Sequence, residues 1–161
     1  NFGTGMIVPG TGIALHNRGA LFSLEPGHPN ELAPNKRPYH TIIPALATKD
    51  NELYLCYGMM GAFMQPQGHL QLIRNMVDFD MDPQKAINAL RFMVVDNGVL
   101  LEEGLPDDVV SQIQKMGHGV QMVSGYQRVG IGGAQIIQRD PETGVLSAGS
   151  EPRKDGCAVG W

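Results

Sequence analysis

The stretch from Lys36 to His69, KRPYHTIIPALATKDNELYLCYGMMGAFMQPQGH, restricts the fold more than any other part of the chain. Two apolar runs flank the polar turn Lys49-Asp50-Asn51. The second, Glu52 to Tyr57, is rich in aromatic and branched residues, so the pair reads as adjacent strands. The Gly-containing elbow Gly58-Met59-Met60-Gly61-Ala62 follows, and Leu70, Ile73, Met76 and Val77 then recur at a spacing that predicts a helix over about 69–79. A tight turn feeding a helix N-terminus leaves unpaired N–H donors at the positive end of a dipole, which is half of an oxyanion hole. The same turn has a plainer reading, because glycine turns a chain there without steric cost. From the residues alone both readings stand.

The 161 residues are expected to form a single domain, 1–161, large enough to own a core. With 21 Gly and 11 Pro the chain is turn-rich, while 42% hydrophobic residues keep it out of the disordered class. Residues 1–12, NFGTGMIVPGTG, are either a flexible loop that closes over something or a plain connection; no strand precedes them to support a dinucleotide fingerprint. Ile13 to Asn17 is a strand candidate. Pro26 to Pro38 carries four prolines and is expected to be an extended loop. Thr41 to Ile43 and Ala45 to Thr48 continue the first strand, with Pro44 marking an edge or a bulge.

Beyond the elbow, Asp82 and Pro83 signal the start of a second helix that turns Ala86, Ile87 and Leu90 to one face. Met93 to Glu102 reads as a hairpin around Asp96-Asn97-Gly98. A third helix begins at Pro106-Asp107-Asp108 and ends at Lys115-Met116-Gly117, and its stripe of Val109, Val110, Ile113 and Met116 is expected to be core. Strand candidates follow at 121–123, 134–138 and 145–147. Strands and helices without strict alternation indicate an α+β class with antiparallel sheet.

A net charge of −4 without any Lys/Arg run argues against a nucleic-acid partner, and no apolar run is long enough for a membrane span. The start, Asn1-Phe2-Gly3-Thr4-Gly5, lacks Met and the regions of a signal peptide, so the chain is expected to be the interior of a longer protein. Cys56 and Cys157 have no metal-ligand spacing, and His16, His28, His40, His69 and His118 form no HxxxH or HxH pair. Neither a metal nor another cofactor is expected.

Five segments, in order, carry a resemblance: Phe2-Gly3-Thr4-Gly5, Pro34-Asn35-Lys36-Arg37-Pro38, the Gly61 elbow, Asn88-Ala89-Leu90-Arg91-Phe92 and Gly149-Ser150-Glu151-Pro152-Arg153. Together they resemble the small, C-terminal subunit of γ-glutamyltransferase-like enzymes over essentially the whole chain. The resemblance implies part of a four-layer αββα N-terminal-nucleophile hydrolase sandwich, in which a precursor cuts itself and the freed Thr serves as nucleophile and, through its amine, as base. That Thr is expected upstream of Asn1. Gly61 and Ala62 fall where the family places a Gly-Gly pair whose N–H groups form the oxyanion hole; alanine keeps its N–H.

The classical enzymes bind the γ-glutamyl α-amino group with an acid and a Gln and its α-carboxylate with two serines, and the matching positions here read Leu21, Arg18, His40 and Thr41. Arg18, His40 and Thr41, with Met60 beside the elbow, are therefore expected to bind substrate through a different pocket, in which a guanidinium suits a carboxylate. Without the resemblance, Arg18 reads as a solvated loop cation and His40 as a strand residue. Gln65, Gln67 and His69 either line the same pocket or, for the two glutamines, cap backbone. The implied activity is hydrolysis or transfer of a γ-glutamyl or other small amide group through a Thr-linked acyl-enzyme. The alternatives are a true γ-glutamyl transferase or a catalytically inactive binding homologue. The implied partner is a large N-terminal subunit from the same precursor, in a heterodimer able to self-associate.

Overall fold

The computed structural model describes residues 3–160 and divides into two compact units, Asn1–Thr41 and Ile42–Trp161. In the first, no described residue is buried. Hydrogen bonds hold it instead. The Gly-rich start folds back on itself, with Thr4 N–H donating to the Leu15 carbonyl at 2.9 Å and Val8 N–H to that of Ile13 at 2.9 Å. The strand expected at Ile13 to Asn17 does not form: among the described residues the two arms share one isolated bridge, Ile7 with Ala14. A short 3-10 turn covers Arg18–Leu21. The Pro-rich segment is an irregular loop pinned by Asn30, whose amide donates to the Leu21 carbonyl at 2.6 Å and accepts from Tyr39 N–H at 3.1 Å.

The second unit begins with β1 (Pro44–Lys49) and β2 (Glu52–Met60), joined by Asp50 and Asn51 at φ 53° and 65°, the left-handed pair that a two-residue hairpin demands. Thr41 to Ile43 lie outside the strand, which Pro44 opens; the register slips between Ala47 and Thr48. Next come α1 (Met64–Val77), α2 (Pro83–Asn88), β3 (Phe92–Val95), β4 (Gly98–Glu102), α3 (Asp107–Lys115), β5 (Val120–Val123), β6 (Gly133–Arg139) and β7 (Leu146–Ser150). The strands form a four-stranded antiparallel sheet, β1-β2-β6-β7, and a smaller sheet, β3-β4-β5. In the smaller sheet β4 and β5 run parallel, because α3 carries the chain back between them.

Helices α1 and α2 pack on one face of the larger sheet, where Leu55, Met59, Ala134 and Ile136 meet Met64, Leu72, Met76, Ala86 and Ile87 in a common core. Asp82 caps α2 by accepting the Lys85 N–H at 2.8 Å, with Pro83 at the first helical position as expected. Expectations for all three helices are corrected. Helix α1 starts five residues early, at Met64, since Pro66 lies in the first turn, where its missing N–H costs nothing. Its buried stripe is therefore Met64, Gly68, Leu72 and Met76 at four-residue steps, while Leu70 and Val77 are about 60% exposed. Leu90 falls beyond the end of α2 and is likewise partly exposed. The α3 stripe is not core either: nothing on that helix is buried, and beyond its end Met116 is 73% exposed.

Side-chain amides finish two sheet edges. Gln67 and Gln71, one turn apart on α1, each accept a backbone N–H and donate to the carbonyl of one β3 residue, Gln67 with Val94 (2.7 and 3.1 Å) and Gln71 with Phe92 (3.1 and 2.9 Å). Four helical residues rise about 6 Å and two strand residues about 6.6 Å, so the two spacings match. Gln84 of α2 does the same for Ser150 on β7.

Candidate active site

Strand β2 runs on through Gly58 and Met59 to Met60, held by pairing of 55–60 with β6, so the elbow is shorter than its sequence suggests. The turn consists of Gly61 at φ 135° and Ala62 at φ 51°, with Phe63 leading into α1. An alanine in the left-handed region costs about 1–2 kcal/mol, a strain the surrounding structure must hold in place. The carbonyls of the turn are occupied, Gly61 accepting from Met64 N–H at 2.9 Å and Ala62 from Gln65 N–H at 3.1 Å. The N–H groups of Gly61 and Ala62 donate to no acceptor among the described residues. The two residues directly precede the N-cap Phe63 of a 14-residue helix, whose N-terminal end favours negative charge.

Met60, the last β2 residue, pairs with Gly133 and lies more than half exposed on the sheet face opposite α1 and α2. Arg18, His40 and Thr41 belong to the first unit. Arg18 opens the 3-10 turn, its backbone N–H donating to His16 Nδ1 at 3.1 Å; His40 is exposed and Thr41 half-buried. The two glutamines differ from one another. Gln67 clasps β3 as described, whereas Gln65 directs its amide to the Ala62 carbonyl at 3.2 Å, within the turn itself. The His69 ring lies 5.1 Å from that of Tyr57 in a tilted arrangement, its Nε2 is buried with no hydrogen-bond partner among the described residues, and burial lowers its pKa.

A cluster that the sequence reading passed over lies within the same unit. Glu102 and Glu151, both fully buried, bind three guanidinium groups. Arg153 reaches both carboxylates, with Nε 2.6 Å from Glu102 and Nη1 2.8 Å from Glu151, and also donates to the Ile87 and Ala89 carbonyls at 3.0 Å. Arg91 contacts Glu151 at 2.8 Å and Arg128 contacts Glu102 at 2.9 Å. Burial pulls the Glu102 carboxyl upward, but hydrogen bonds from Arg153, Arg128 and the Arg91 N–H outweigh it and hold the group at about 2. Glu151 is likewise held below the usual range: desolvation opposes this, and Arg153 and the Ala134 N–H overcome it. Arg91, Glu151 and Arg153 all sit in the family-like segments, so the segments were noticed without the charge pairing they encode.

The γ-glutamyltranspeptidase family model matches residues 1–161, the whole chain. This chain belongs to the γ-glutamyltranspeptidase family. Among curated relatives, a glutathione hydrolase-like proenzyme of Bacillus subtilis is 37% identical, over 99% of this chain and 31% of its own length. An oxamate amidohydrolase proenzyme of Klebsiella pneumoniae is 32% identical, again over 99% of this chain and 31% of its own. The crystal structure of a cephalosporin acylase from Bacillus halodurans superposes with a TM-score of 0.92 at 47% identity, covering 100% of this chain and 30% of that one. The chain thus spans under a third of the length of these family members. Its fold is a portion of the αββα N-terminal-nucleophile hydrolase sandwich, as the sequence resemblance implied. Among the described residues no helix is long and apolar enough to cross a membrane.

Proposed function

We propose that this chain is the C-terminal, substrate-binding part of a threonine-nucleophile amidohydrolase of the γ-glutamyltranspeptidase family, acting on a small amide or γ-glutamyl-like bond through an acyl-enzyme. The carrying observation is the pair of unengaged N–H groups at Gly61 and Ala62. They are placed to receive the oxyanion of a tetrahedral intermediate, and each such donor supplies about 2.7–4 kcal/mol of transition-state stabilisation. The nucleophilic Thr lies upstream of Asn1 and attacks the substrate carbonyl, with its own α-amine taking the proton. By the family resemblance, Arg18, His40, Thr41 and Met60 are each candidates for contacting the acyl group. Leu21 replaces the carboxylate that would hold an α-ammonium, which favours acyl groups without that charge over classical γ-glutamyl donors. Relatives named for oxamate and for acylase activity are in keeping with this divergence.

A larger N-terminal subunit from the same precursor is the proposed partner. The row Leu46, Cys56, Ile137 and Ala148, in register across all four strands on the face away from the helices, is exposed, with Leu46 at 70%. An apolar sheet face of this kind needs a cover. Expression of the full-length gene tests the reading. Two fragments are expected on a denaturing gel, the smaller starting with Thr and slightly heavier than the 17.4 kDa of residues 1–161. A single uncut chain would instead support the inactive binding homologue. Faster release of p-nitroaniline from γ-glutamyl-p-nitroanilide on adding a dipeptide acceptor would support a true transferase.

A further inference from the structure

The Met60–Gly61 peptide unit is one bond with two ends. Its N–H is the Gly61 donor of the proposed oxyanion hole, and its carbonyl, on Met60, is packed from behind by Gly132. This glycine follows the 3-10 turn Gly125–Ile131 with φ 77° and ψ −178°, a conformation essentially confined to glycine. A Cβ built on it would lie 2.7 Å from the Met60 oxygen, 3.1 Å from Met59 Sδ and 3.2 Å from Met64 Cγ. From the other side, a Cβ on Gly61 would come within 2.9 Å of the Gly132 Cα. Two bare backbones therefore touch, and neither has room for a methyl group. The methionine atoms can yield to an intruding carbon, whereas the Met60 oxygen can move only by tilting its peptide plane, and the Gly61 N–H tilts with it.

We propose that Gly132 is a positioning residue for the oxyanion hole: its missing side chain sets the direction of the Gly61 N–H. The proposal rests on the assignment of Gly61 and Ala62 made above. It concerns a residue 71 positions away in sequence, joined to the turn by the pairing of β2 with β6. Because the donor meets charge that develops only in the transition state, misaiming it lowers kcat and leaves KM nearly unchanged.

The test uses the full-length protein and the mono-p-nitroanilide, among those of γ-glutamate, glutarate and oxalate, that the wild type hydrolyses, with kcat expressed per titrated acyl-enzyme. Gly132→Ala is expected to lower kcat about 10²-fold with KM changed by less than about 3-fold. Gly130→Ala, where a Cβ meets nothing within 4 Å and φ is not positive, should match the wild type. If Gly132→Ala does not accumulate as folded protein, the comparison is made between Met59→Ala and Met59→Ala/Gly132→Ala, in which the side-chain obstruction is relieved and the Met60 carbonyl contact remains. Separately, glycolic acid at position 61 turns the Met60–Gly61 amide into an ester and deletes that N–H alone. A large kcat loss in the ester together with an unchanged kcat, or a change confined to KM, in Gly132→Ala overturns the inference but keeps the oxyanion hole. An ester with undiminished kcat, or a wild type that hydrolyses none of the three probes, overturns the oxyanion assignment and the inference with it.

Discussion

At the scale of single residues, the clearest conflict is between charge and burial. Carboxylates as deeply buried as Glu102 and Glu151 persist only because each accepts several hydrogen bonds from guanidinium or backbone donors. Glu102 titrates near 4.5 when unfolded and at about 2 when folded. The folded state thus resists protonation, and its contribution to stability is complete above about 4.5 and is lost as the pH falls towards 2. Denaturant titrations in that window should show stability falling with pH. Glu102→Gln, which leaves buried guanidinium groups short of a partner, should cost about 3–5 kcal/mol at neutral pH and flatten the acid slope. An unaltered denaturation midpoint in the variant would contradict this account. The chemistry of the pairing was readable in principle, since Arg91, Glu102, Glu151 and Arg153 are plain in the sequence. Their meeting was not, because they come from three places in the chain, with Arg91 and Glu151 60 residues apart.

Among the elements, helix α1 has three tasks: it buries Met64, Leu72 and Met76 against the larger sheet, begins at the proposed oxyanion turn, and closes the edge of β3 through Gln67 and Gln71. The last of these explains how a helix whose sequence contains Pro66 and Gly68 and carries exposed Leu70 and Val77 stays in register. Gln67→Ala removes both hydrogen bonds to Val94 and is expected to cost about 1 kcal/mol. Hydrogen exchange should report it locally, with faster exchange at Val94 N–H and little change at Leu55 in the sheet centre; equal acceleration at both sites would mean that the clasp is not local. Periodicity located α2, which Asp82 and Pro83 punctuate, within a residue or two. It misplaced the start of α1, because a proline in a first turn reads as a breaker when it is only a neutral occupant.

For the molecule as a whole, what remains uncovered is as informative as the core. Unit Asn1–Thr41 buries none of its described residues, no residue of α3 is fully buried, and the larger sheet presents Leu46, Cys56, Ile137 and Ala148 on its open face. A chain spanning under a third of its relatives is expected to look like this, with apolar surfaces prepared for the remainder. Cys56 is an internal reporter. It is exposed in this chain, so in the assembled protein it should resist iodoacetamide under native conditions and react on denaturation, as read by mass spectrometry of the peptide. Rapid native alkylation of Cys56 would remove the open sheet face from the proposed subunit interface.

The sequence by itself determined the local events: the Asp50-Asn51 hairpin, the Asp82-Pro83 helix start, the α+β class and, through five ordered segments, the family. These depend on backbone preferences and spacings that a few neighbouring residues decide. Only the tertiary structure determined that Arg91, Glu102, Arg128, Glu151 and Arg153 form one buried network, that glutamine amides close the sheet edges, and that Gly132 touches the back of the Met60–Gly61 peptide. Each of those is a contact between residues distant along the chain, whose geometry depends on how the strands pair and no local pattern records.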